Sequence, residues 1–210
     1  MRKLRFFIIS AAALLMLTAC AAGNQASHEE PVTVVVSEDF PHYTSINGLS
    51  DKADTVISGK IVDTRVEEID DMIHTDSADE ELNPGGELYV EKNIYTIYTI
   101  AVEESFKGNY KPGDKLEFKE LGGQIGDITF VSEDAVSISS DHQYVFFLAT
   151  YADSPASLLN PVQSLYIYDP VDKDEADPKL MEQAVLKSAS PDNDLTLSVE
   201  ALLEIKDKFN

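Results

Sequence analysis

Cysteine and tryptophan are almost absent from this 210-residue chain, which has one cysteine, Cys20, and no tryptophan. A single cysteine cannot form a disulfide within the chain, so stability has to come from a hydrophobic core. The lack of tryptophan also weakens the case for a sugar-stacking surface, since tryptophan offers the largest aromatic face.

Basic residues are scarce as well: 16 Lys and Arg stand against 38 Asp and Glu, a formal charge of −22. Such a surface repels the phosphates of nucleic acid and the headgroups of anionic lipids. We therefore expect no nucleic-acid partner, and we expect any membrane attachment to come from an anchor rather than from the domain surface.

The N-terminus has the pattern of a secretory signal peptide. Three basic residues lie within the first five positions, residues 6–17 are apolar apart from Ser10, and small residues then lead to Cys20. The apolar run is shorter than the roughly 20 residues that cross a bilayer as a helix. Removing residues 1–19 takes away three of the 16 cations and no acidic residue, which leaves 13 cations and a formal charge of −25.

The sequence "LTAC" (17–20) resembles the lipobox of bacterial lipoproteins, here of the Gram-positive type. The resemblance implies cleavage before Cys20 and a diacylglyceryl thioether on its sulfur. Two acyl chains anchor a protein stably, whereas one chain holds it only marginally. We therefore expect Cys20 to be lipidated and the protein to lie on the extracytoplasmic face of the cell membrane.

Composition divides the rest of the chain into a tether and one domain. Residues 20–31 are small and polar, which is typical of a flexible tether. Residues 32–210 are enough for a single domain. Two acidic loops interrupt it, an insert at about 67–87 and a second loop at 169–178.

Most of this domain has the pattern of β-strands. Runs rich in β-branched and aromatic residues, with alternation of apolar and polar positions, predict strands at 32–40, 54–69, 93–108, 115–121, 127–132, 144–151 and 164–169. Helical patterns lie within 45–54, 179–187 and 198–209. Short, closely spaced strands with a helix at the end predict a mainly β fold, a small OB-like β-barrel of about five to six strands with a C-terminal amphipathic helix.

Four local features refine this prediction. The apolar parity in 54–69 switches between Ile61 and Val62, which favours a β-bulge. The sequence "YKPGD" (110–114) suits a type II turn with proline and glycine at its centre. Ser198 is the expected N-cap of the last helix, and alternation places Glu120 on the same strand face as Phe118.

Two sequence patterns resemble the netrin-like domain, the OB-type barrel of netrin modules and of the tissue inhibitors of metalloproteinases. The matching positions are Ala53, Asp54, Val56, the run Phe106, Lys107 and Gly108, and the strand that begins near Tyr144. Many uncharacterised Gram-positive lipoproteins carry a similar pattern. The resemblance implies the barrel fold.

The resemblance does not extend to protease inhibition. The metalloproteinase inhibitors chelate the protease zinc through a free N-terminal cysteine amine that disulfides brace. Here Cys20 would be lipidated and tethered, and the chain has no second cysteine.

No catalytic residue, metal ligand or cofactor is assigned from the sequence. A G-x-S-x-G nucleophile elbow is missing, and the histidines (His28, His42, His74 and His142) lack metal-site spacing. Calcium is the inorganic ligand that the acidic loops suit best chemically, through Asp169, Asp172, Asp174, Asp177, Asp192 and Asp194. Their spacing does not fit an EF-hand, which favours solvated loops instead.

Tyrosine is abundant, with nine copies, and Tyr95, Tyr98, Tyr144, Tyr166 and Tyr168 lie on expected strands. They could form an open ligand-stacking groove or simply fill a half-buried sheet. We predict a non-enzymatic binding module whose partner is an extracellular protein, a peptide or an envelope glycan. The alternatives are an envelope hydrolase with paired carboxylates and a calcium-dependent surface protein.

Overall fold

A computed structural model describes residues 31–70, 92–168 and 184–209 of the chain. Within these residues the protein is mainly β. The strands are β1 (Val32–Val36), β2 (Thr55–Ile69), β3 (Asn93–Lys107), β4 (Lys115–Leu121), β5 (Gly123–Ile125), β6 (Ile128–Ser132), β7 (Gln143–Ala149), β8 (Ala156–Leu158), β9 (Leu165–Ile167) and β10 (Lys187–Ser188). The helices are α1 (Ile46–Lys52) and α2 (Val199–Phe209).

Five strands close into a ring in the order β2, β3, β4, β8, β7 and back to β2. All neighbours in the ring are antiparallel except β4 and β8, which run parallel. Numbered along the chain, the five members follow the order 1-2-3-5-4-1, which is the Greek-key closure of an OB-type barrel. The fold class predicted from the sequence is confirmed.

The long strand β2 bends around the barrel through register shifts against β3. One of them lies between Ile61 and Asp63, where the apolar parity switches, so the predicted bulge is confirmed. Gly59 allows the tightest approach, because a Cβ there would lie 2.4 Å from the carbonyl oxygen of Ala101 on β3. The bulge and the glycine together let β2 pair with both β3 and β7.

The barrel interior is filled with apolar side chains. A row of rings crosses it: Tyr98 stacks on Phe118 at 5.0 Å, and Phe146 lies 5.4 Å from Phe118 and 5.8 Å from Tyr144 between ring centroids. Aliphatic residues complete the packing, among them Ile57, Ile100, Leu148 and Leu165. Among the described residues, the packed interior leaves no open channel lined by tyrosine.

A second core lies on the outer face of β7. Val145 and Phe147 of β7 pack there with Leu49 of α1 and with Leu202 and Ile205 of α2. Strand β7 is consequently covered on both faces, as its continuously apolar sequence predicts. Packing in this core positions both helices.

The predicted end helix is confirmed as α2. The Ser198 hydroxyl accepts a hydrogen bond from the Ala201 backbone N–H at 3.1 Å, which makes Ser198 the N-cap. Leu202 and Ile205 are buried, and Phe209 packs against the same core. Lys206 and Lys208 lie in the last turn, where positive charge offsets the helix dipole.

The predicted turn at 110–114 is also confirmed. The Asp114 N–H donates to the Lys111 carbonyl at 3.0 Å, and Gly113 has a φ of 94° behind Pro112. This is the geometry of a type II turn. It leads from β3 into β4, the strand that carries the site described below.

Three strands outside the ring form a small sheet in the order β1, β6, β5. Strand β1 pairs parallel with β6, and β5 pairs antiparallel with β6. The predicted strand at 32–40 is confirmed for its first five residues, and the segment after it runs toward α1.

The predicted helix at 179–187 is wrong in the part that is described. Val185 forms a β-bridge with Ser198, and Lys187 begins β10, which pairs with β9. These pairings replace the expected helix. Residues 179–183 lie outside the described residues. So do the 169–178 loop and the acidic insert beyond residue 70, while 67–69 belong to β2.

Candidate functional site

A groove of about 800 Å³ lies on the barrel surface beside the point where β4 and β8 separate. The two strands pair only at Phe118 with Ala156 and at Lys119 with Ser157. Strand β4 then continues to Leu121, bonded to β3 on its other side. Residues 119–121 line one wall of the groove, and residues 157–159 line the opposite wall.

The groove also receives residues from three other parts of the barrel. Tyr95 comes from β3, Ile69 and Asp70 come from the end of β2, and residues 151–154 come from the loop between β7 and β8. Phe40 lies on the segment that leads to α1. Barrel closure therefore brings together residues that are far apart in the sequence.

Lys119 places its ammonium over two tyrosine rings in this groove. Its Nζ lies 4.8 Å from the ring centroid of Tyr95 and 5.7 Å from that of Tyr151. Tyr95 is 6% exposed and rigidly packed, whereas Tyr151 is 52% exposed on the β7–β8 loop. Tyrosine faces attract cations through their quadrupole, so the pair forms a cation-binding surface.

Glu120 is a largely desolvated carboxylate of the site. Its Oε1 accepts the Val136 backbone N–H at 3.1 Å, and its Oε2 lies 3.4 Å from the Tyr98 hydroxyl, which donates to it. Burial raises the pKa of Glu120 to about 7, and these two hydrogen bonds lower it only in part. Burial and the neighbouring Glu120 in turn raise the pKa of Tyr98 above its ordinary value.

Three further carboxylates line the groove, those of Glu38, Asp70 and Asp153. Among the described lining residues Lys119 is the only cation, so the groove is acidic overall. Ser154 adds a hydroxyl whose Oγ is buried and has no hydrogen-bond partner within the described part of the chain. A buried hydroxyl of this kind is available to a bound ligand.

This arrangement can perform two kinds of chemistry. Aromatic rings and carboxylates together bind cationic or hydroxyl-rich ligands. A carboxyl group whose pKa burial raises to about 7 can also act as a general acid. Burial on the apolar face of β4 is what sets Glu120 apart from the other acidic residues.

Most of the tyrosines singled out in the sequence lie outside the groove. Tyr144 and Tyr166 are fully buried, and Tyr98 belongs to the interior row of rings. Tyr168 packs against the outer core. Of the five, Tyr95 alone lines the groove, and the exposed Tyr151 joins it from a loop.

His42 and Asp194, which the sequence analysis considered as candidate site residues, contact each other at the surface. His42 Nε2 lies 3.1 Å from Asp194 Oδ2, and both side chains are mostly exposed. The buried Gln163 amide donates to Asp194 Oδ1 at 2.7 Å and to the Tyr43 carbonyl at 2.9 Å. These bonds join the segment before α1 to the segment before α2, which is a structural role.

The remaining candidates are dispersed or lie outside the described residues. His142 packs against the edge of Tyr144, and Asp192 is exposed. No group of three or more His, Cys, Asp or Glu residues within the described ranges could hold a metal ion. The lipidation residue Cys20 lies outside these ranges, as do His28, His74, Asp169, Asp172, Asp174 and Asp177.

The residues that carry the netrin-like resemblance have structural roles at one corner of the barrel. Asp54 Oδ2 accepts the Thr150 N–H at 2.9 Å, and the Asp54 N–H donates to the Leu148 carbonyl at 2.9 Å. Asp54 thus fixes the start of the loop that carries Tyr151. Ala53, Val56, Phe106 and Tyr144 are buried.

Lys107 completes the same corner. Its ammonium donates to the Ser50 carbonyl at 2.9 Å at the end of α1 and lies 4.1 Å from the ring centroid of Phe209. The last carbonyls of a helix have no partner within the helix, so this lysine caps α1. The motif supports the fold rather than a reaction.

The residues that sequence reasoning missed are Lys119 and Tyr151. One signal for the site was present: Glu120 occupies a strand position that alternates with buried Phe118. A carboxylate at such a position is an exception to the burial rule and marks a candidate site. Nothing local marks Tyr151, because its role depends on barrel closure.

No helix among the described residues is long and apolar enough to span a membrane. Neither a protein-family model nor a curated protein matches this chain.

Proposed function

We propose that this protein is a lipoprotein of the extracytoplasmic membrane face that binds a ligand in the β4–β8 groove without catalysing a reaction. The observation that carries the binding role is the groove itself, in which the Lys119 ammonium lies over Tyr95 and Tyr151 and the partly buried Glu120 is also a lining residue. The lipobox sequence is the observation that supports the lipid anchor.

The position of the groove supports a binding role. OB-type barrels bind ligands on the face of their second and third strands and on the adjoining loops. Here the second and third barrel strands are β3 and β4, and the loop between the fourth and fifth is 150–155. Tyr95, Lys119 and Tyr151 belong to these three elements. This support is an analogy of fold, whereas the acidic lining is particular to this chain.

The anchor is tested by a Cys20→Ala substitution in the full-length gene. We expect the normal protein to incorporate labelled palmitate and to sediment with membranes, and the variant to lose both properties. Ser10→Ala, in the same leader, should leave both unchanged. Membrane retention of a cleaved Cys20→Ala protein would contradict the lipoprotein assignment.

The groove is tested with defined probes and the full-length protein in detergent. Calorimetric titrations with octalysine, octaglutamate and chitohexaose cover a basic peptide, an acidic peptide and a neutral glycan. We expect one probe to bind saturably and to lose affinity on Tyr151→Ala, whereas Leu203→Ala on the exposed side of α2 has no effect. No binding by any probe, or binding that Tyr151→Ala leaves unchanged, would refute the groove as the ligand site.

A hydrolase of the cell envelope is the second candidate, and the raised pKa of Glu120 is the observation that favours it. A protonated carboxylic acid near pH 7 is what a glycosidase uses to protonate its leaving group, with a second carboxylate nearby. Incubation of purified cell-wall glycan with the protein should then release new reducing ends, and Glu120→Gln should stop that release. Absence of release by the unmodified protein excludes this candidate.

A further inference from the structure

The segment between β6 and β7 lies against the barrel interior. Residues 133–142, here called the strap, join the two strands. Val136 and Ile138 of the strap pack on the interior cluster that contains Phe118 and Tyr144. The strap therefore shields part of the interior row of rings from solvent.

The middle of the strap is held without a backbone ladder. Its start is fixed where the Glu133 N–H donates to the Val36 carbonyl at 3.0 Å. From Val136 to Asp141, no backbone group bonds another backbone group of the described residues. A segment of this kind opens at a lower free energy than the core strands of the same protein.

Two side chains of the barrel hold the middle of the strap instead. Glu120 Oε1 on β4 accepts the Val136 N–H at 3.1 Å, and the Tyr144 hydroxyl oxygen on β7 accepts the Ser139 N–H at 2.9 Å. Within the described residues these are the two hydrogen bonds that join residues 136–141 to the barrel. The closed position therefore depends on one phenol and one carboxyl group.

The carboxyl group is the acceptor whose charge can change near neutral pH. Glu120 alternates with Phe118 along β4 and so faces the interior. Burial raises its pKa to about 7, and the bonds from Val136 and Tyr98 lower it only in part. Opening of the strap gives the carboxylate access to water, which favours the ionised form.

We propose that the strap is a pH-sensitive lid over the barrel interior and the adjoining end of the groove, closed while Glu120 is protonated and released when Glu120 ionises. Ser132 and Ala135, at the start of the strap, line the groove together with Glu120. Release of the strap therefore enlarges the groove. The proposal goes beyond the binding role and does not depend on any ligand.

Burial, rather than a neighbouring charge, is the largest cause of the raised pKa of Glu120. Tyr98 on β3 contacts Glu120 and stays neutral across this pH range, because its own pKa is raised. Lys119 lies on the opposite face of β4, as does Glu117. The other titratable groups of the surrounding elements are Glu38, Asp70, Asp153, Tyr95 and Tyr151 in the groove lining, Glu133, Asp134, Asp141 and His142 on the strap, and Tyr144 on β7.

The test is amide hydrogen exchange of the isotope-labelled full-length protein in detergent, followed by NMR at pH 6 and pH 8. Protection factors remove the intrinsic effect of pH on exchange. Those of the Val136 and Ser139 N–H groups should fall about tenfold between pH 6 and pH 8, which follows from a pKa of 4.5 in water and about 7 under the closed strap. Both should be lower at either pH than that of Phe147 on the central strand β7.

Three variants assign the effect to its source. Glu120→Gln keeps a neutral acceptor, so the protection factors of Val136 at pH 6 and pH 8 should agree within about twofold. Tyr144→Phe keeps the ring and removes the acceptor of the Ser139 N–H, so Ser139 should lose about fivefold in protection at both pH values. Glu204→Gln on the exposed side of α2 is the matched control and should keep the tenfold change.

Each contrary outcome overturns the proposal. Equal protection of Val136, Ser139 and Phe147 would show that the strap opens only when the whole protein unfolds. A tenfold change that survives Glu120→Gln would assign it to another group, such as His142. Equal protection of Val136 at pH 6 and pH 8 in the unmodified protein would show that Glu120 does not control the strap. None of these outcomes bears on ligand binding by the groove, which the probe titrations test separately.

Discussion

Replacing Glu120 by glutamine should stabilise the protein, and the gain should depend on pH. Burial raises the pKa of Glu120 from 4.5 to about 7. Between these pH values the folded state binds more protons at this site than the unfolded state does, so the stability that protonation provides is present at low pH and is lost as the pH rises through 7. Glutamine has no charge to desolvate and does not incur this loss.

The size of the effect follows from the two pKa values. The difference between 4.5 and about 7 corresponds to about 3 kcal/mol in the free energy of unfolding when the carboxylate is fully ionised. Glu120 keeps partial exposure to the groove, so we expect about 2 kcal/mol at pH 8. Glutamine can still accept the Val136 N–H and contact the Tyr98 hydroxyl, and the loss of hydrogen bonds should therefore be small.

The assay is urea unfolding of the full-length protein and the variant at pH 5, 6, 7 and 8. The difference in the free energy of unfolding should be smallest at pH 5, should grow mainly between pH 5 and pH 7, and should level off at about 2 kcal/mol by pH 8. Comparison at each pH removes the contribution of the other acidic residues. Glu204→Gln, on the exposed face of α2, provides the matched control and should show no comparable trend.

A difference that stays constant from pH 5 to pH 8 would refute the reasoning, because it would show that Glu120 ionises like an exposed carboxylate. A variant that is less stable at pH 8 would refute it more strongly. That result would mean that the ionised carboxylate makes favourable contacts that outweigh its burial.

Three further predictions address the rest of the account. Asp54→Ala should lower the free energy of unfolding by about 1 kcal/mol through the lost bond to Thr150, whereas Asp54→Asn should retain most of it; equal urea midpoints for both variants would contradict this. Gly59→Ala should lower the free energy of unfolding by more than about 1 kcal/mol, because the new Cβ meets a backbone carbonyl of β3. Gly48→Ala in α1 should be neutral or stabilising. Melting temperatures that rank the two variants in the opposite order would contradict this packing. A protein carrying Cys20→Ala should appear in the culture medium at full length minus its leader, and its absence there would argue against signal cleavage.

Much of the fold follows from patterns that are local in the sequence. The parity switch at Ile61 predicted the bulge, Pro112 and Gly113 predicted the turn, and Ser198 predicted the start of α2. Each of these features depends on residues within a few positions of one another. Only the short helix expected at 179–187 failed in its described part, because β-pairing there overrides a weak helical pattern.

Long-range pairing set the limit of prediction. Strand β1 pairs in parallel with β6, and no local pattern in either strand identifies its partner. The groove has the same origin, since Tyr95, Glu120 and Tyr151 meet only after β4 and β8 close the ring. Among these groove residues, only Glu120 is indicated by the sequence, as a carboxylate on the strand face that carries the buried Phe118.

The tyrosine pattern predicted burial correctly but did not identify a ligand site. Their enrichment on strands predicted a half-buried surface: Tyr144 is buried and Tyr98 partly buried in the barrel interior, and Tyr166 is buried in the outer core. The alternative was an open groove lined by the five strand tyrosines, and it does not form because four of the five pack in the two cores.

The central claim is that the β4–β8 groove binds a ligand. The most direct measurement is an NMR titration of the isotope-labelled full-length protein in detergent with octalysine, octaglutamate and chitohexaose in turn, at 150 mM salt and pH 8. We expect one probe to give saturable shifts confined to Tyr95, to residues 119–121 and to residues 151–154. Shifts spread over the acidic surface, including exposed residues of α2, or no shifts at all, would contradict it.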